Sequence, residues 1–498
     1  MAVPRLFEAD ERRRWLVVAV GVAILLCLGS IYSFSVLAYH IRILFEKVYN
    51  IEVTATELQL PYTVALLTYA LTMPIASSYI DRYGPRLVTS IGAVFVSLGW
   101  SLSAFARSIY QLTLTYGVLV GLGLGIAYNC PIVAARAWFP DRTGLAVGLV
   151  VLGFGLAPAV AGPATDALVA NQYPEGVYRA FVVLGIVYGV IIALLASMLR
   201  TPPPDFNPGR QRNSGGQVDT VVWDLSREEV VRTKAFYALW ICFAIGTLVG
   251  LMVIGVTKLV GIEVAESAGG GEIGESVSDL LTRLLVLYSI CNSIGRPIFG
   301  WLNDRVGTDR AAVINYTLTI LASITLLLNP ASLAAYTICF AILWLNLGGW
   351  LALAPSATAK LFGRRDFARN YGLLFTAYGA GALAGNTMVG LVKDVYGRYT
   401  MVFPYVILLS IVGATIAAVA LRPQAAGHNA HISTSIHAHN ALEHSTALAL
   451  PYPASVLAPR PLPSALLTSQ VSFSTNSWGR TTFDATTIRM IVPRCNDR

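Results

Sequence analysis

Between Leu284 and Arg310 the chain reads LLVLYSICNSIGRPIFGWLNDRVGTDR, an apolar run long enough to cross a bilayer that carries one full charge, Arg296, well inside it. Asp304 and Arg305 close its far end. A helix rises about 1.5 Å per residue, so the step from Arg296 to Asp304 is ~12 Å and puts the guanidinium near the bilayer midplane. An arginine at that depth costs roughly 2.5–3.5 kcal/mol on insertion scales, so it persists only where it faces the protein interior and meets a partner. Its own helix offers no countercharge. Asn292 lies one turn earlier, Tyr288 and Ser289 two turns earlier, and all three are neutral. The partner is then either an acid on another helix or an anionic ligand. Asp166, Glu175, Asp279 and Asp394 all read as lying near helix ends, which favours the ligand. Guanidinium suits a carboxylate, because its planar fork offers two parallel hydrogen bonds.

The rest of the sequence has the same apolar character. Of 498 residues, 55% are hydrophobic and only 12% charged, against about 25% charged in soluble domains. The net charge of +8 does not imply nucleic acid, because the excess Lys and Arg sits in short segments beside apolar runs. Such runs, each about 20 residues or more and separated by polar or Pro/Gly-rich breaks, give twelve expected membrane helices. They fall near 15–38, 58–80, 86–106, 110–137, 143–169, 177–199, 234–259, 280–302, 310–328, 331–361, 370–393 and 399–421. One long polar break, opening with TPPPDFNPGRQRNSGG, separates the sixth from the seventh and has the composition of a flexible linker.

The expected organisation is therefore a cytoplasmic N-terminus (1–14), a six-helix half (15–199), a cytoplasmic linker (200–233), a second six-helix half (234–421) and a disordered cytoplasmic tail (422–498). The tail is rich in Ala, Ser, Thr, Pro and His; it holds five of the six histidines, without the structure needed to preorganise a metal site. Five cysteines lie in apolar runs and Cys495 in the tail, with no metal-type or disulfide-type spacing. Arg12, Arg13 and Arg14 precede Trp15 without a small-residue cleavage site, so the first span reads as retained.

The halves repeat each other. Asp81-Arg82-Tyr83-Gly84 recurs as Asp304-Arg305-Val306-Gly307, and Gly144, Gly153, Gly162 and Asp166 match Gly372, Gly381, Gly390 and Asp394 at one constant offset. Two parallel six-helix repeats are a transporter architecture.

Ser77 to Arg86 (SSYIDRYGPR) and Gly300 to Gly307 (GWLNDRVG) resemble the loop signature of the major facilitator superfamily. This implies a gating motif made of Asp81, Arg82, Gly84 and Arg86 with its copy Asp304, Arg305 and Gly307. A tight turn plus a carboxylate that pairs with Arg or caps a helix could latch one face of a carrier; plain topology signalling by loop charges is the other reading. Four stretches resemble the oxalate:formate antiporter family and the related monocarboxylate porters: Gly29 to Ser35, Trp138 to Ala146, Asn292 to Pro297, and Asn370 to Gly379. The resemblance covers roughly residues 15–421 and implies that Arg296 binds a substrate carboxylate. Where the oxalate antiporters have a lysine this chain has Tyr378, and where proton-coupled monocarboxylate carriers have an aspartate it has Asn292.

Other residues at membrane depth are candidates to line a central cavity with Arg296 and Asn292: Tyr32, Tyr128, Trp344 and Tyr378, each with packing or interfacial use as the alternative. No phosphate-binding loop, HExxH or GxSxG is present, so neither an ATP-driven pump nor an enzyme is expected, and no cofactor or metal. The sequence thus predicts an all-α membrane protein of twelve transmembrane helices in two six-helix repeats. Its expected function is secondary transport of a small organic anion by alternating access, as a monomer in the plasma membrane, with a proton or counter-anion as coupling partner. A proton-coupled carrier of another solute, or a transporter-like sensor, is the competing reading. The basic residues Arg82, Arg86, Arg136, Arg142, Arg305, Arg310, Lys360, Arg364, Arg365 and Arg369 all fall in segments assigned to the linker face, so both termini are expected in the cytoplasm. A single cysteine at position 215 should resist a membrane-impermeant thiol reagent in intact cells; labelling from outside would reverse the topology.

Overall fold

In a lipid interior no water answers a free amide or carbonyl, so a spanning chain must satisfy its backbone within each segment. The computed structural model obeys this: among the described residues there are helices and connecting turns and no strand. The structure describes residues 3–139, 143–202, 225–269, 275–363 and 366–421. The linker 203–224, the tail 422–498 and Pro140–Arg142 lie outside the described residues. Among the described residues, eleven helices are long and apolar enough to cross a membrane: α1 Arg14–Val48, α2 Ala55–Ile80, α3 Arg82–Ser103, α4 Ile109–Trp138, α5 Leu145–Val169, α6 Glu175–Ala196, α7 Lys234–Ala268, α8 Val277–Val306, α9 Thr308–Leu328, α10 Leu333–Phe362 and α12 Tyr399–Ala420. The remaining one, α11, is less apolar and is built from Phe367–Leu374 and Thr376–Tyr396 around a break at Phe375. This is the all-α architecture of twelve helices read from the sequence.

The helices run further than the apolar stretches do. α1 carries a 3-10 turn at Gly29–Ser33 and continues past residue 38 to a π turn at Leu44–Val48. α7 passes residue 259 to reach Ala268 and holds Lys258 inside the bundle. The two-half pattern shows in the backbone as well. α2 turns into α3 at Gly84 (φ 79°) and α8 into α9 at Gly307 (φ 91°), the same place in each repeat. Both angles lie in the region that favours glycine.

Lipid-facing surfaces carry large exposed apolar side chains such as Ile75, Leu194, Leu328, Leu408 and Val419, which is the surface a bilayer solvates. Packing between helices cannot rely on a hydrophobic drive there and uses small residues instead. Within the second half, α8 and α10 touch through Gly295 against the Leu345 backbone and Gly348 against the Asn292 carbonyl. The halves meet along α5 with α8 and α2 with α11. The same pairing, with roles exchanged, is what a repeat structure requires.

Gly348→Ala would drive a methyl into the Asn292 carbonyl, whereas a Cβ at Gly148 meets open space. Overpacking costs typically about 1–3 kcal/mol, so Gly348→Ala should lower the melting midpoint of the purified protein while Gly148→Ala leaves it unchanged.

Candidate functional site

Arg296 lies on α8 with only 5% of its surface exposed. Its Nη1 donates to the Val151 carbonyl of α5 at 2.5 Å and its Nη2 to Asn292 Oδ1, one turn earlier, at 3.3 Å. A helical carbonyl is normally screened by the side chain one turn on. Here that residue is Gly155, and a Cβ on it would sit 2.6 Å from Ser293 Oγ, 2.9 Å from Asn292 Oδ1 and 3.3 Å from Arg296 Nη2. Glycine therefore lets the guanidinium reach the backbone of the opposite half. Asn292 is held in turn, its Nδ2 donating to the Trp344 carbonyl at 2.9 Å. The Nε–H of Arg296 is buried without a hydrogen-bond partner, and among the described residues no carboxylate pairs with this arginine.

Aromatic rings close the space beside it. Tyr32 of α1 and Tyr378 of α11 share a hydrogen bond of 2.8 Å between their hydroxyls, one from each half. Tyr69 of α2 packs edge-on to Tyr128, Phe375 and Tyr378, with ring centroids 5.3, 5.3 and 5.7 Å away. Phe154, between Gly153 and Gly155, stands perpendicular to Tyr32 and Tyr128 at 4.9 and 5.3 Å. Phe375 stacks on Tyr378 at 4.7 Å. The charge of Arg296 reaches the hydroxyls of Tyr32, Tyr128 and Tyr371. The result is one fixed cation in an occluded aromatic chamber with phenol hydroxyls as neutral donors. Such an arrangement can orient a small anion, and among the described residues no second cation stands beside Arg296.

Of the sequence candidates, the structure brings Arg296, Asn292, Tyr32, Tyr128 and Tyr378 together. Trp344 stands apart: its indole N–H donates to Thr257 Oγ1 at 3.1 Å and its ring lies against Tyr288. It supports Asn292 through its carbonyl only. The loop motif lies far from this chamber, at the end of the bundle where α6 finishes and α7 begins. There Asp304 pairs with Lys360 at 2.9 Å, and Arg305 covers the Trp301 ring. Asp304 thus meets a lysine of α10, on the surface, where such pairs contribute about 1 kcal/mol or less. In the first half Arg82 lies over Tyr83 and Arg86 is exposed; the Asp81 side chain is outside the described residues.

Tyr69, Phe154, Tyr371 and Phe375 were not singled out from the sequence. A ring between two glycines at Phe154 was the one readable signal. Lys258 was also missed. It is fully buried on α7, and its Nζ reaches Asp166 Oδ2 at 3.1 Å and Thr282 Oγ1 at 2.8 Å. Thr282 lies on α8 about 21 Å from Arg296 at 1.5 Å per residue, so this second buried cation belongs to the far end of the bundle.

Comparison with known proteins agrees with this architecture. The sequence profile of the Major Facilitator Superfamily matches residues 19–269 and 270–483. The oxalate:formate antiporter of Oxalobacter formigenes is 27% identical over 393 residues, covering 78% of this chain and 87% of its own length. Apicoplast pyruvate carrier 1 of Toxoplasma gondii is 24% identical over 462 residues, covering 75% and 83%. Among solved structures, a bacterial homolog of the human lysosomal transporter Spinster superposes with a TM-score of 0.61 at 16% identity, covering 82% of this chain and 97% of that one. With the family profile matched in both halves, the chain belongs to the Major Facilitator Superfamily of membrane transporters.

Proposed function

We propose that this transporter carries a small organic anion with one carboxylate, bound at Arg296 and moved by alternating access between the two halves. The observation that carries the reading is the buried guanidinium with an unpartnered Nε–H and no carboxylate beside it. A buried charge left this way is strongly unfavourable unless an anion completes it during the working cycle. The relatives named for oxalate, formate and pyruvate carry small carboxylates, which supports the same class of cargo. Tyr378 in place of a second cation favours formate, lactate, pyruvate or acetate over oxalate. The Tyr32–Tyr378 bond and the α5–α8 contact through Val151 join the halves around the site, so releasing the cargo to either side requires them to part. Operation in the plasma membrane with both termini in the cytoplasm, as a monomer exchanging the anion or moving it with a coupling ion, completes the proposal.

Counterflow of labelled formate, oxalate, lactate, pyruvate and acetate into proteoliposomes tests it. A monocarboxylate should exchange; exchange of a neutral solute alone would defeat the reading. Arg296→Gln should insert normally and abolish anion counterflow, whereas Arg296→Lys keeps the charge, loses the fork and retains part of it. Tyr378→Lys adds a cation across the chamber. A charge-assisted hydrogen bond is worth ~1.5–3 kcal/mol, so competition by unlabelled oxalate should strengthen by more than about tenfold. Undiminished counterflow in Arg296→Gln, or unchanged oxalate competition in Tyr378→Lys, would contradict the single-cation site.

A further inference from the structure

The repeat pairs Gly162 and Asp166 with Gly390 and Asp394, and neither aspartate has a part in the anion site. Both lie at the far end of the bundle, on α5 and α11, and both cross to the other half. Asp394 accepts from the backbone N–H groups of Ala55 (2.7 Å) and Thr56 (3.0 Å) and from the Thr56 hydroxyl, capping the start of α2. Its glycine, one turn earlier, lets the helices close: a Cβ at Gly390 would lie 2.6 Å from Thr56 Cα. Asp166 accepts from Lys258 Nζ on α7 (3.1 Å) and from the Thr282 hydroxyl on α8, with Gly162 set against Leu285. The two contacts are repeat-related, yet they differ in chemistry. Amide N–H donors on Asp394 do not titrate. Asp166 has a titratable neighbour from its own half: His40 Nε2 of α1, 2.6 Å from Oδ1.

We propose that Asp166 and Asp394 are the two latches that hold the far end shut, and that His40 with Asp166 forms a proton-binding site whose loading releases Lys258. The neutral imidazole donates one N–H, from Nε2 to Asp166, and accepts at Nδ1 from the Tyr173 hydroxyl at 2.6 Å. A proton taken at Nδ1 makes both ring nitrogens donors, and the Tyr173 hydroxyl turns to accept. The same carboxylate then faces two cations, His40 from its own half and Lys258 from the other. The pair within one half is self-sufficient, so the contact across the halves weakens and Lys258 leaves with α7. The other groups around the cluster are Tyr39, whose ring lies 4.7 Å from Lys258 Nζ, and Asp279 on α8, whose charge acts on Lys258. Asp279 stays on the second half and partners Lys258 once Asp166 is lost. The remaining five histidines lie beyond residue 427, so His40 is the one described side chain whose ordinary titration falls between pH 5 and 8.

Thiol labelling of the full-length protein in detergent, without substrate, tests this independently of the carboxylate reading and of which compartment the far end faces. Leu285 of α8 is fully buried against Gly162 of α5, so Leu285→Cys, in a background whose six native cysteines are replaced by serine, reports opening. Rates are normalised to a small free thiol at each pH. Labelling should rise at least about fivefold between about pH 8 and about pH 5.5, the scale of a typical site-to-site coupling. His40→Gln keeps an amide donor near Nε2 and should flatten the pH response. The double variant Asp166→Asn/Lys258→Gln removes both charges together, so it buries no lone ion, and should label faster at both pH values with no pH response. Asp394→Asn should speed labelling at both pH values while leaving their ratio intact. A pH-independent parent, a response that survives in His40→Gln or the double variant, or an Asp394→Asn rate equal to the parent's would overturn the proposal.

Discussion

Inside a bilayer a polar group has no solvent to fall back on, and a polar side chain of this bundle must be answered within the protein, by its own helix or by another. The location of those answers organises the molecule. Arg296 is met by the Val151 carbonyl, Lys258 by Asp166, the first amides of α2 by Asp394, and Tyr32 by Tyr378. Every one of these contacts joins one half to the other. Contacts inside a half add close glycine packing, as at Gly348 on Asn292 and Gly153 on Val22, to hydrogen bonds such as Asn292 to the Trp344 carbonyl. A hydrogen bond exchanged for one to water changes the free energy by only about 1 kcal/mol, whereas opening a glycine-packed interface forfeits close contacts that water does not replace. Where the seam between the halves rests on such hydrogen bonds, it can open to water at small cost.

The two ends of the bundle close the seam differently. At the far end carboxylates reach across from α5 and α11. At the other end the described contacts across the seam include the Arg136 guanidinium 5.3 Å over the Phe367 ring and Gly372 close to Pro74. The chamber around Arg296 lies between these two closures, which is why its residues are almost wholly buried despite their polarity.

Much of this was legible in the sequence because it rests on local rules. A charge within a membrane-length apolar run marks Arg296, and i, i+4 spacing marks Asn292. A repeated Asp-Arg-x-Gly marks two tight turns, both of which adopt positive φ at their glycine. What was not legible depends on partners distant in the chain. Lys258 falls at the last turn of the seventh apolar run, and nothing near it in the chain marks its partner, Asp166, some ninety positions earlier. Trp344 and Tyr69 are both aromatic at membrane depth, and nothing local tells that one packs within the second half while the other faces the chamber. Asp166 and Asp394 were visible as a matched pair, but which half they serve is a property of the assembled bundle.

Gly155 carries a consequence for how tightly any anion is held. By exposing the Val151 carbonyl, it gives the guanidinium an oxygen of its own, so the empty site is already part-solvated by backbone. A carboxylate bound there, as proposed, would gain the difference between its oxygens and that carbonyl, plus the idle Nε–H, and not the full strength of an arginine–carboxylate fork. On the proposed carboxylate reading, residence at the site would be correspondingly short, because the Val151 carbonyl competes with the cargo for Arg296 on every turnover.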